Sequence, residues 1–106
     1  VEPFLYSGKS MATAPFSPLV LQVRDRLQSY LGSDYDCALL NLYPDGKSGM
    51  RYHSDPDQGR SWDYDTAVVS VGQPRKFSFR ANQRAADDEV FTYHVFDGDV
   101  VHMFGD

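Results

Sequence analysis

From Cys37 to Met103 the chain reads as six short runs of strand-forming residues separated by turn signals, with one helical stretch before them. That order constrains the fold to a mainly β architecture. Cys37 to Tyr43 is apolar and ends at Pro44-Asp45-Gly46. Met50 to His53 is a short strand, and Ala67 to Val71 and Lys76 to Arg80 flank Gly72-Gln73-Pro74. Val90 to Phe96 and Asp99 to Met103 follow, divided at Asp97-Gly98. In Lys76 to Arg80 the two phenylalanines, Phe77 and Phe79, face one way and the polar residues the other, because strand side chains alternate. The polar stretch from Ser54 to Asp65 is long enough to be a functional loop rather than a tight turn.

Upstream, Ser17-Pro18 predicts an N-cap followed by proline at the first helical position. Leu19, Val23, Leu27 and Tyr30/Leu31 recur at helical spacing, and Gly32 closes the run. A helix over about 18 to 31 is expected, its apolar stripe against a sheet. Residues 1–17, with prolines at 3 and 15, are expected to be irregular. The 106 residues suffice for one small domain, and strands following one helix predict a double-sheet architecture with the helix buttressing one face.

A single cysteine, Cys37, excludes an internal disulfide framework and a thiolate zinc site. In its apolar run it reads as a buried structural thiol, and an unpaired thiol fits an intracellular, reducing compartment such as nucleus or cytoplasm. No apolar run approaches the ~20 residues of a membrane span. The N-terminus lacks signal-peptide features and an initiator Met, so it reads as a cut or processed start. A net charge of −5, from 15 acidic and 10 basic residues, argues against coating nucleic acid through a general positive field. Local binding stays open. Arg75, Lys76, Arg80 and Arg84 cluster within ten residues, a set that also reads as a solvated strand-and-loop face.

His53-Ser54-Asp55 carries the chemistry. A His and a carboxylate two apart at a strand end point to the same side, and an imidazole nitrogen with a carboxylate oxygen makes two of the three protein ligands of a facial-triad non-haem iron site. Spacing alone leaves a second reading, a hydrogen-bonded pair at a strand end. The surroundings shift the balance toward the iron site. Asn41-Leu42-Tyr43 lies upstream, Ser70-Val71-Gly72 downstream, and Gly98-Asp99-Val100-Val101-His102-Met103 near the end. With Tyr6-Ser7-Gly8 and the helix, this ordered set resembles the AlkB family of iron- and 2-oxoglutarate-dependent dioxygenases, most closely its nucleic-acid-repair branch.

The resemblance implies a double-stranded β-helix (jelly roll) with one N-terminal buttressing helix, and the cofactors Fe(II) and 2-oxoglutarate. It assigns His53 and Asp55 as iron ligands and Asn41 and Tyr43 as hydrogen-bonding partners of 2-oxoglutarate. Asp57 matches an acidic position that contacts the target base, where a carboxylate can accept from an exocyclic amino group; without the resemblance it is a loop-capping acid after Pro56. Tyr6 matches an aromatic of the substrate-recognition lid, and as an isolated residue it is a surface or packing tyrosine. Trp62 either stacks on substrate or pins its loop. His94 reads as structural. His102 falls on the strand preceding the family's second iron-binding His, at an ordinary β position.

That second His and the arginines gripping the distal carboxylate of 2-oxoglutarate follow the Gly-Asp strand in the family, beyond Asp106. The chain is therefore expected to be a single AlkB-like domain over 1–106, incomplete at its C-terminus and lacking the final strands. The implied activity is oxidative dealkylation, with succinate, carbon dioxide and an aldehyde as products and an alkylated DNA or RNA base as substrate. The cofactors carry that chemistry, and the protein supplies ligands, orientation and a dry pocket. No membrane partner is expected, and the sequence leaves the oligomeric state open. A non-catalytic binding or scaffold module on the same fold, or a dioxygenase acting on protein or lipid, is the alternative.

Overall fold

A computed structural model describes residues 4–6, 9–11, 14–54, 58, 63–81 and 89–105. They fall into two compact units, Val1–Met50 and Arg51–Asp106.

The first unit opens with a hairpin of β1 (Phe4–Tyr6) and β2 (Lys9–Met11), paired antiparallel with Leu5 opposite Ser10. The sequence reading expected irregular backbone here. Strands of three residues are too short to show an alternating pattern, so the pairing itself defines them. Helix α1 (Pro18–Leu31) matches its expected bounds. Ser17 Oγ accepts from the Val20 amide at 3.2 Å, and Pro18 takes the position where no amide hydrogen is needed. At the other end Gly32 adopts φ 72° and its N–H reaches Gln28 O at 2.9 Å.

The helix differs from expectation in its face. Val20, Arg24, Leu27 and Leu31 form the half-buried stripe, while Leu19 and Tyr30 are exposed. Arg24 belongs to this stripe because its stem can lie along apolar surface while its guanidinium sits over the Phe16 ring, 5.9 Å from the centroid. The run Cys37–Tyr43, expected as a strand, is not one, and neither is Met50–His53. Among the described residues no strand pairs with either segment. Apolar composition marks a segment for burial without supplying a ladder partner, and Leu40 and Leu42 are exposed. The turn that follows is as expected. Asp45 Oδ1 accepts from the amides of Lys47 (2.9 Å) and Ser48 (3.0 Å).

In the second unit β3 (Thr66–Val69) pairs antiparallel with β6 (Val100–Met103), and β4 (Arg75–Phe79) with β5 (Phe91–Val95). These four strands fall within a residue or two of their expected bounds. Opposite residues in β4–β5 share a face, so Phe77, Phe79 and Tyr93 collect on one side, with the buried Val95. The Phe77 and Phe79 rings lie 5.0 Å apart, and Phe79 meets Tyr93 edge-on at 6.3 Å. Beyond the β3–β6 ladder, Ser70 N–H donates to Asp99 O (2.9 Å) and Gly98 N–H to Ser70 O (2.7 Å). Gly98, at φ 88°, makes the tight turn that returns the Asp99 amide to Phe96 O.

Candidate active site

His53 is the centre of the candidate site. Its Nδ1 lies 2.7 Å from Arg51 O. A carbonyl oxygen can only accept, so Nδ1 carries the proton and, in the neutral ring, Nε2 carries the lone pair. A backbone carbonyl bound to one imidazole nitrogen is the usual device for fixing the tautomer of a metal-ligating histidine. The local geometry therefore fits His53 as a ligand through Nε2. Asp55, its expected partner, lies outside the described residues, as do Asp57 and Trp62. Among the described residues no group of three His, Cys, Asp or Glu side chains could hold a metal ion.

Tyr52, His53, Ser78, Phe79, Arg80 and Ala81 line an open groove. The Arg80 guanidinium lies 3.9 Å from the Tyr52 ring centroid, a cation–π contact that fixes both groups at the edge of the groove. In sequence Arg80 stands out only as part of a basic cluster, and Tyr52 carries no signal of a role. The alternation Lys76-Phe77-Ser78-Phe79-Arg80 was the signal for which face Arg80 takes.

Asn41 and Tyr43 belong to the first unit, just before the Asp45 turn, Asn41 exposed and Tyr43 half-buried. They stand on irregular backbone, so the strand alternation expected to align them does not apply. Tyr6 lies on β1.

His102 faces Ala67 across the β3–β6 ladder, and its Nε2 lies 2.8 Å from Asp65 Oδ1. Its ring packs 4.8 Å from that of Phe104. The expectation that His102 occupies an ordinary β position holds, with one partner spacing could not show, since Asp65 is 37 residues away. His94 is exposed on β5. Cys37 is exposed rather than buried. Partial desolvation pushes its thiol above the ordinary value, and the charge and hydrogen bond of neighbouring Asp36 push it the same way.

Residues 5–106 match the 2OG-Fe(II) oxygenase superfamily. The chain belongs to that superfamily, as an AlkB-like member. It is 34% identical over 102 residues to uncharacterized protein R406 of Acanthamoeba polyphaga mimivirus, covering 95% of this chain and 51% of that protein. It is 31% identical over 77 residues to the DNA oxidative demethylase ALKBH2 of Bos taurus, covering 73% of this chain and 28% of the relative. Against the alpha-ketoglutarate-dependent dioxygenase alkB homolog 3 of Bos taurus the figures are 27% over 92 residues, 86% and 32%. The chain thus spans about half the length of the first of these relatives and about a third of the others. No solved structure matches it. Family membership implies Fe(II) and 2-oxoglutarate as cofactors.

Proposed function

We propose that this protein is a dioxygenase that removes alkyl groups oxidatively from nucleic-acid bases. The observation that carries the reading is the His53 ring, whose Nδ1 is bound to Arg51 O so that the lone pair of the neutral ring lies on Nε2, at the His of a His-x-Asp motif in an AlkB-like chain. His53 and Asp55 would hold Fe(II), and Asn41 and Tyr43 would hydrogen-bond 2-oxoglutarate. The strands of the second unit are part of a double-stranded β-helix. Fe(II) and 2-oxoglutarate together supply the activation of dioxygen needed to hydroxylate an N-alkyl carbon. The protein's part is to orient those groups and to admit the base. Asp57 would accept a hydrogen bond from an exocyclic amine, and Tyr6 would stack on the base. Similarity to a DNA oxidative demethylase supports the substrate class.

The test is mass spectrometry of an oligonucleotide carrying one N-methylated base, incubated with the protein at its full natural length, Fe(II), 2-oxoglutarate and ascorbate. Loss of the methyl group with equimolar succinate is the expected result, abolished in Asp55→Ala. Succinate release stimulated by a methylated peptide or lipid, but not by the oligonucleotide, would reject the nucleic-acid reading. Oligonucleotide binding without turnover would move the assignment to a binding module.

A further inference from the structure

The polar face of the β4–β5 hairpin carries nitrogen donors that no carboxylate neutralises among the described residues. Alternation puts Lys76 and Ser78 on one face of β4, and the register sets His94 opposite Lys76 and Thr92 opposite Ser78. Ser78 Oγ and Thr92 Oγ1 are 2.8 Å apart, so the hydroxyls do share this face. Lys76 and His94 are both exposed and occur in none of the ion pairs of the described residues. An ammonium facing an imidazole across two strands gains nothing from it, whereas an anion between them satisfies both. His94 can donate a ring N–H in either protonation state. The pair stands at the open end of the hairpin, three register steps from the Phe79–Phe91 pair that precedes the acidic 82–89 stretch. The acids that follow β5 are engaged. Asp97 Oδ1 accepts from Gly72 N–H and Asp99 Oδ2 from Phe96 N–H, each at 2.8 Å.

We propose that Lys76 and His94 bind a backbone phosphate of a nucleic-acid strand, with the Ser78 and Thr92 hydroxyls next along its path. This rests on the nucleic-acid reading above and gives it a second contact surface. Spacing favours a phosphodiester chain. Two residues of β4 span ~7 Å, while a stacked strand carries one phosphate per ~3.4 Å. Ser78 also lines the groove with His53, so a strand held at Lys76 reaches that groove within a few nucleotides. Because the chain carries −5 overall, binding depends on such a local set.

The test is fluorescence anisotropy of the chain with a labelled, unmodified single-stranded oligonucleotide of about twelve nucleotides, over roughly 50 to 300 mM salt. Lys76→Gln should weaken binding about fivefold near 0.1 M salt and lower the salt slope by ~0.7, for any base sequence. His94→Phe should weaken binding less, and the exposed Lys47→Gln not at all. Wild-type affinity and slope in Lys76→Gln would overturn the phosphate site and leave the nucleic-acid reading standing. Absence of salt-dependent oligonucleotide binding by the wild-type chain would overturn both, as would preference for poly-glutamate over the oligonucleotide.

Discussion

Imidazole tautomers are set by whatever the second nitrogen touches, and at His53 a backbone carbonyl makes the choice. Because the partner is main chain, replacing the Arg51 side chain leaves the constraint in place. Cys37 shows the reverse situation, in which a neighbouring side chain sets reactivity. Exposure alone would make it a reactive thiol, but partial desolvation and the adjacent Asp36 hold its pKa up and thin out the thiolate at neutral pH. Alkylation by iodoacetamide at pH 7.5 should therefore run slower than that of free cysteine. Asp36→Asn should speed it by removing the charge, while the desolvation part remains. An equal or slower rate in Asp36→Asn would show that the carboxylate does not raise the thiol.

At the scale of elements, the helix depends on two caps that act separately. Ser17→Ala removes the acceptor of the Val20 amide and should cost about 1 kcal/mol in urea unfolding. At Gly32 an added Cβ would meet nothing within 4 Å, so any cost of Gly32→Ala comes from the left-handed φ of 72° alone. A loss of about 1 kcal/mol is expected there too, and no loss in either variant would mean that the caps do not hold this helix. These ends were legible in the sequence because capping is local: Ser17-Pro18 and Gly32 suffice. Strands β3 to β6 were legible for a similar reason, their alternation and bounding turns lying within each run. The Cys37–Tyr43 run was misread because a strand needs a partner that its own residues do not name. The half-buried stripe of α1 departs from the apolar spacing because the stem of Arg24 belongs to it. Of the candidate site, the His-x-Asp motif is a reading of sequence alone, whereas the Arg51 carbonyl and the Tyr52–Arg80 stack depend on chain conformation and on residues far apart in sequence.

At the scale of the whole molecule, the second unit is closed by contacts between its beginning and its end. Asp65 meets His102, Ser70 meets Asp99, and Gly72 meets Asp97. Asp65 is the last residue before β3, so its bond to His102 ties the start of β3 to β6 beside the ladder. This gives His102 a structural task that competes with metal binding, since Asp65 already occupies its Nε2. Both side chains are partly exposed, which limits the pair to about 1 kcal/mol or less. A double-mutant cycle of Asp65→Asn and His102→Asn, read by urea unfolding, should give a coupling energy of that size. Co(II) titration, followed by its visible absorption, should meanwhile show His102→Asn binding metal as the wild type does and His53→Asn binding it far more weakly. A parallel loss of Co(II) affinity in both variants would make His102 the third ligand and require its bond to Asp65 to break when metal binds.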